Sequence, residues 1–197
     1  MHIADGVLGL EITVVVSAIA LVAMIKAVKE LKNEDISLTG VASAMFFIAS
    51  FIHIPFGVTQ IHLILLGVIG ILISWSSFVA IFAALVLQAF LLGYGGVVSI
   101  GVNLFIMAMP AVFVSYLYHT SFIQNLNDKV KFFIVGFMGT FFATLFLTAI
   151  LYFSKEEYNY VAFSVFSVNI ITMVIEGIVS MFLLLFIKKV YPKVLKV

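Results

Sequence analysis

The sequence contains no cysteine and no arginine, and charged residues make up only 10% of its 197 positions. Without cysteine, disulfides, thiolate zinc sites and thiol nucleophiles are excluded. Without arginine, every fixed cation is a lysine, and the net charge of +1 provides no basic surface for a nucleic acid. The Gly-x-x-x-x-Gly-Lys pattern of phosphate-binding loops is missing as well, so we do not expect the chain itself to hydrolyse a nucleotide.

Apolar residues dominate the sequence instead: they make up 64% of it, and the mean hydropathy is +1.31. A soluble domain is about half apolar and about one quarter charged, so this chain has too few polar groups to cover a water-exposed surface. The apolar runs are long and continuous rather than alternating, which favours helices over a membrane barrel. The composition therefore predicts an all-α polytopic membrane protein that forms one integral membrane domain.

Seven apolar stretches are candidates for membrane helices. They cover residues 9–29, 39–54, 62–75, 77–93, 101–119, 131–153 and 164–188. A span needs about 20 residues, with about 17 as the usual lower limit, so we expect stretch 62–75 to be thin, tilted or shielded by its neighbours. Its Gly67-x-x-Gly70 spacing favours close helix contact. We predict about seven transmembrane helices over 9–188, an N-terminal segment over 1–8 and a tail over 189–197.

The lysines predict the orientation of these helices. Nine of them follow the first, fifth and seventh stretches, namely Lys26, Lys29, Lys32, Lys129, Lys131, Lys188, Lys189, Lys193 and Lys196. Lys155 alone lies at the other end, beside Glu156 and Glu157. Because cytoplasmic loops carry an excess of lysine, we expect the N-terminus outside and the C-terminus in the cytoplasm. Residues 1–8, the 54–62 loop and the 93–101 loop are then extracytoplasmic.

The first two residues have the chemistry of a metal chelate. No basic residue precedes the first apolar stretch, so we expect the N-terminus to be retained rather than cleaved as a signal peptide. The α-amine of Met1, the His2 amide and the His2 imidazole can bind one divalent ion in fused chelate rings, which favours Cu²⁺, Ni²⁺ or Co²⁺. His62, on the same predicted side of the membrane, is the leading candidate for a fourth nitrogen. The alternative for His62 is an interfacial histidine that is hydrogen-bonded to a loop.

Motifs along nearly the whole chain resemble one family. They are 1–8 (MHIADGVL), 47–55 (FIASFIHIP), 59–63 (TQIHL), 87–96 (LQAFLLGYGG), 100–103 (IGVN), 174–177 (VIEG) and 186–192 (FIKKVYP). By these motifs the chain resembles the CbiM/NikM proteins, the substrate-binding membrane components of energy-coupling-factor cobalt and nickel importers. It departs from the family pattern at Ala4, often proline there, at Gln60 and Ile61, usually small residues, and at Tyr94, often histidine.

The resemblance implies that Met1, His2 and His62 bind Co²⁺ or Ni²⁺ at the extracytoplasmic face, as transported substrate and not as a cofactor. It implies a multi-pass protein of a prokaryotic cell membrane that is not an enzyme. The implied partners are membrane lipid, a transmembrane coupling subunit and ABC ATPase subunits, with room for a small accessory membrane subunit. The alternative is a vitamin- or organic-solute-binding component of similar architecture. An intramembrane enzyme is disfavoured, since H-E-x-x-H and G-x-S-x-G are absent.

Three polar residues near the predicted chelate are candidates for supporting or gating roles. Asp5 either fixes the N-terminal segment around the metal or caps the first helix. His53 either adds a ligand or packs as an ordinary interfacial histidine. Gln60 lies two residues before His62 and is the third candidate.

Three more polar residues lie within or near the ends of later stretches. Gln88 and Asn103 are each candidates to accept a hydrogen bond from the His62 ring and hold its tautomer, or else to join neighbouring helices. Glu176 lies inside the last stretch, where a carboxylate is costly and points to a role. We expect that role to be structural or coupling, because Glu176 lies too deep to bind a metal at the outer face.

Overall fold

The computed structural model describes residues 2–56 and 59–195, with the side chains of all of these except 53–56 and 59–61. This part of the chain is almost entirely helical, as predicted. Its helices are α1 (Leu10–Glu30), α2 (Ile36–Ala49), α3 (Leu66–Ile73), α4 (Ser77–Leu92), α5 (Ile100–Tyr118), α6 (Ser121–Gln124), α7 (Asp128–Ser154) and α8 (Asn159–Val190). Two short strands, β1 (His53–Phe56) and β2 (Thr59–His62), lie between α2 and α3.

Five helical segments of the described chain are long and apolar enough to cross a membrane. They are Leu10–Glu30, Leu66–Leu92, Ile100–Tyr118, Asp128–Ser154 and Glu156–Val190. Each of the seven apolar stretches contains a helix, but α2 has 14 residues and α3 has eight, fewer than the roughly 17 that a span usually needs. The predicted count of seven transmembrane helices is therefore not confirmed.

The segment Leu66–Leu92 folds back on itself instead of forming one straight helix. His62, just before the segment, and Gln88, near its end, both contact the side chain of His2. A straight helix of 27 residues would be about 40 Å long, so the chain must reverse between the two contacts. It does so at the 3₁₀ turn of residues 74–76, where Ser74 has a φ of 44°. This turn lies where the sequence separates stretch 62–75 from stretch 77–93.

The strands β1 and β2 form an antiparallel hairpin in which His53 pairs with His62 across the ladder. The prediction that stretch 39–54 is helical to its end is therefore wrong for its last residues, since α2 ends at Ala49. Pro55 explains part of this difference, because a residue before proline is pushed towards extended backbone. Stretch 62–75 likewise becomes helical only at Leu66.

Helix α3 lies at the centre of the bundle, and all eight of its residues are buried. Two glycines allow neighbouring backbones to approach it: a Cβ at Gly67 would overlap the Val135 carbonyl of α7, and one at Gly70 would overlap the Ala111 carbonyl of α5. This is the close contact that the Gly67-x-x-Gly70 spacing predicts. Packing on two sides fixes the start of α3, and with it the chain that leads from the hairpin.

The two ends of the bundle differ in chemistry. Helix α5 begins beside the N-terminal segment and ends among lysines at the opposite end. There, Lys26 Nζ lies 3.7 Å from the centre of the Trp75 ring, whose Nε1 donates to the Tyr116 hydroxyl at 2.8 Å. Lys188 Nζ lies 2.6 Å from Asp128 Oδ2, where the start of α7 meets the end of α8. The lysines at the ends of α1 and α8 thus lie away from the N-terminal segment.

Candidate metal centre

The N-terminal segment, residues 2–9, packs onto the bundle. Its Ile3 and Leu8 side chains are buried in the core. The side-chain amide of Asn103 on α5 binds Ile3 twice: the Ile3 N–H donates to Asn103 Oδ1 at 2.8 Å, and Asn103 Nδ2 donates to the Ile3 carbonyl at 3.0 Å. Because these bonds are buried, water competes with them only weakly. They fix the backbone directly after His2.

Asp5 attaches the same segment to the start of α5. Its carboxylate accepts from the Ser99 hydroxyl and the Ser99 N–H, both at 2.8 Å, and from the Val98 N–H at 3.3 Å. These bonds, with that from the Ser99 hydroxyl foremost, lower the pKa of Asp5 and keep its carboxylate ionised at neutral pH. Asp5 therefore fixes the N-terminal segment and binds the chain that enters a helix. That helix is α5, whereas the sequence suggests α1.

The loop that follows α4 fits closely around this segment because it contains glycine. Gly95 has a φ of +73°, and a Cβ there would lie 2.9 Å from Asn103 Nδ2. A Cβ at Gly96 would overlap the Asp5 carboxylate. Glycine is thus required at Gly96 by the close approach and at Gly95 by the backbone conformation as well. The loop covers the residues that hold His2 in place.

The His2 ring is half-buried, with its Nε2 atom 2.9 Å from Gln88 Oε1. An amide oxygen only accepts hydrogen bonds, so Nε2 carries the proton and donates it to Gln88. Burial lowers the pKa of the His2 imidazole to about 4, although the bond to Gln88 acts in the opposite direction. The ring is therefore neutral at pH 7, with its lone pair on Nδ1. That nitrogen can close a six-membered chelate ring with the amide nitrogen of His2.

His62, the last residue of β2, stacks against His2. The two ring centroids are 5.6 Å apart, and the ring planes are inclined by 28°. A metal–imidazole bond of about 2 Å places the ring centre about 3 Å from the ion, so two rings on one ion have centres within about 6 Å of each other. The observed separation lies inside this limit. The fold therefore brings together the two imidazoles that the sequence selects, from positions 60 residues apart.

Tyr94 also borders this pair, since its ring centroid lies 6.0 Å from that of His2. It stands in the glycine loop, at the position where the family often has histidine. The phenol ring thus lines one side of the His2 imidazole.

Several predicted site residues fall elsewhere. Met1 and the side chains of His53 and Gln60 lie outside the described residues, so their roles stay predictions. His119 follows the end of α5, at the end of the bundle opposite His2. In the part of the chain that the structure describes, no three His, Cys, Asp or Glu side chains converge on one metal position. The predicted ligand set contains only two such side chains, with backbone nitrogens as the remainder.

Glu176 lies on α8, with none of its surface exposed. Its carboxylate accepts from the N–H groups of Ile64 and Leu65, the latter at 3.2 Å from Oε1 and 3.1 Å from Oε2. These two residues belong to the short connection between His62 and α3. The acid therefore contacts the backbone that follows a predicted ligand.

The sequence identifies most of these polar residues without identifying their partners. Gln88 contacts His2, and Asn103 contacts the backbone of Ile3, where His62 was the expected partner of both. Ser99 is not singled out from the sequence, although a serine directly before a helix is a common N-terminal signal. The contacts join positions about 90 to 110 residues apart, a distance over which periodicity carries no information.

Comparison with known proteins assigns the chain to a family. The family model described as the cobalt uptake substrate-specific transmembrane region, CbiM, matches residues 2–194. The chain belongs to the CbiM family. The resemblance found in its motifs is thereby confirmed, and the protein is a membrane component of a cobalt and nickel transport family.

Two relatives of this CbiM-family chain carry names that state a metal. The cobalt transport protein CbiM of Clostridium tetani is 32% identical over 215 residues, which cover 100% of this chain and 88% of that protein. The fused nickel transport protein NikMN of Rhodobacter capsulatus is 31% identical over 116 residues, which cover 55% of this chain and 33% of that protein.

A solved structure described as a truncated transition metal transporter has the same fold. Its TM-score is 0.77 at 25% sequence identity, and the match covers 96% of this chain and 99% of that one. The CbiM-family fold is therefore shared over nearly the whole of both chains, including the N-terminal segment and the hairpin.

Proposed function

We propose that this protein captures a Co²⁺ or Ni²⁺ ion with four nitrogens: the α-amine of Met1, the amide and imidazole of His2, and the imidazole of His62. The observation that carries the proposal is the stacking of the His2 and His62 rings at 5.6 Å. Two imidazoles at this separation suit one ion, and the amine and amide at the N-terminus add further nitrogens. The metal is the transported substrate.

The contacts around His2 support this proposal by reducing the cost of binding. A flexible N-terminus would lose conformational entropy on wrapping around an ion. Here Asn103 holds Ile3, and Asp5 holds the start of α5, so the backbone beside His2 is ordered already. Gln88 accepts the Nε2 proton and leaves Nδ1 free for the metal.

The proposal includes the direction of transport. The predicted ligands lie at the end of the bundle opposite the lysines of α1 and α8, and lysine-rich ends favour the cytoplasm. We therefore place the ligands at the extracytoplasmic face of a prokaryotic cell membrane, with the C-terminus inside. The protein then acts as the substrate-specific subunit of an ATP-driven energy-coupling-factor importer. A transmembrane coupling subunit and ABC ATPase subunits supply the energy.

An N-terminal extension tests the proposed ligand set. One glycine added before Met1 converts the α-amine into a peptide nitrogen, so two of the four nitrogens no longer have the proposed arrangement. We expect Ni²⁺ affinity, measured by calorimetry on detergent-purified protein, to fall by more than the roughly 10–100-fold that losing a supporting bond costs. The same glycine added after Val197 is the control and should leave affinity unchanged. Equal affinity of both extended proteins would refute the four-nitrogen site.

A further inference from the structure

The connection between β2 and α3 is three residues long, and it is bound by a single acid from the far end of the sequence. Ile64 and Leu65 direct their backbone N–H groups at the Glu176 carboxylate of α8, 112 and 111 positions away. All three residues are buried, and Glu176 has no exposed surface. A carboxylate in such a place is costly unless its oxygens accept hydrogen bonds.

This connection has a backbone conformation that needs support. Leu65 has φ 52° and ψ 31°, the left-handed region that residues other than glycine rarely adopt. Because α3 begins at Leu66, the N–H groups before it have no partner within the helix. Without the carboxylate, two buried donors would be left unsatisfied beside a left-handed leucine. The Glu176 carboxylate therefore stabilises this particular path of the chain.

The path determines where the ring of His62 lies. Only Leu63 separates His62 from the first bound N–H group, so the carboxylate fixes the backbone two residues from the imidazole. On the other side, the hairpin ladder fixes His62 by its pairing with His53. We infer that Glu176 is a positioning residue for His62, which it acts on through the Ile64 and Leu65 N–H groups. This inference rests on the proposed role of His62 as a metal ligand.

A matched control lies one helical turn further along α8. Ser180 shares the face of Glu176, is equally buried, and its hydroxyl has no hydrogen-bond partner within the described residues. Its Cβ lies against Gly136 of α7, so Ser180→Ala changes a polar group at the same helix interface without touching the connection. A general effect of altering α8 would appear in both variants, whereas an effect on His62 would appear in one.

The first measurement compares Glu176→Gln with Ser180→Ala. The glutamine keeps one acceptor oxygen but replaces the other by an NH₂ group that faces backbone donors. In metal-free protein we expect faster hydrogen exchange at the Ile64 and Leu65 amides of Glu176→Gln only. We expect Ni²⁺ affinity to fall about 10–100-fold, with a shifted Ni²⁺ absorption band, while Ser180→Ala keeps the affinity and the spectrum of the unmodified protein. Unchanged affinity in Glu176→Gln, or an equal loss in Ser180→Ala, overturns the inference.

The second measurement is a double-mutant cycle with His62→Ala. If Glu176 acts through His62, Glu176→Gln should weaken Ni²⁺ binding in the unmodified protein and have no further effect in His62→Ala protein. Additive losses would overturn the inference and leave the proposed ligand set intact. Full affinity in His62→Ala alone would instead refute the ligand role of His62. Should Glu176→Gln not yield monodisperse protein, Glu176→Asp, which withdraws the carboxylate by one methylene, enters the same cycle.

Discussion

The side chain of Asn103 holds both backbone hydrogen-bonding groups of Ile3, 100 residues away in the sequence. A neighbouring β-strand usually bonds a segment of backbone in this way; here one side chain of α5 does so. The arrangement transfers the rigidity of a buried helix to the N-terminal segment. The position of the proposed ligands at Met1 and His2 therefore depends on α5.

Replacing Asn103 by leucine tests this dependence. Asn103→Leu removes both bonds to Ile3 and leaves a buried N–H and a buried carbonyl without partners, so the N-terminal segment should detach from α5. We expect Ni²⁺ affinity to fall about 10–100-fold, the range for groups that orient metal ligands, and calorimetric titration measures it. Asn169→Leu is the control, because the Asn169 amide bonds only the Val165 carbonyl of its own helix in the described structure. Comparable losses in the two variants would contradict the proposed dependence.

Gly96→Ala should weaken metal binding through a steric effect. The added Cβ overlaps the Asp5 carboxylate, so either the glycine loop or Asp5 must move, and the bonds from Asp5 to Ser99 are strained. We expect weaker Ni²⁺ binding and faster proteolysis of the N-terminal segment. Gly40→Ala provides the comparison, since a Cβ at Gly40 meets no atom within 4 Å. The steric explanation fails if Gly96→Ala binds Ni²⁺ as tightly as Gly40→Ala.

The distribution of lysines predicts the topology of the chain in the membrane. With the N-terminus outside and the C-terminus in the cytoplasm, a reporter fused after Val197 should be active only in its cytoplasmic form. An alkaline phosphatase fusion at the same position should be inactive. Phosphatase activity there would place the proposed ligands on the cytoplasmic side and contradict their role in capturing external metal.

The sequence predicts the helices well because the signal for a membrane helix is local. Stretch 131–153 corresponds to α7 (Asp128–Ser154), and stretch 164–188 lies within α8 (Asn159–Val190). An apolar run must be long enough to cross the hydrocarbon, and this requirement can be checked residue by residue. The same criterion misses the hairpin, since residues 50–56 continue an apolar run although their backbone becomes extended.

The contacts of the site are less predictable, because they depend on how distant segments meet. Gln88 and Asn103 are recognisable as polar residues in apolar surroundings, but nothing near them in the sequence indicates His2 or Ile3. The same holds for Glu176, whose partners are backbone N–H groups without side-chain identity. Backbone partners leave no pattern in a single sequence.

The most direct test of the central claim is calorimetric titration of Ni²⁺ into three histidine variants at one pH. If His62 closes the site, His62→Ala should lose more affinity than the roughly 10–100-fold typical of supporting groups. His53→Ala should lose no more than that range. His119→Ala, at the opposite end of the bundle, should bind Ni²⁺ as the unmodified protein does. A larger loss in His53→Ala than in His62→Ala would contradict the account and assign the fourth nitrogen to β1 instead of β2.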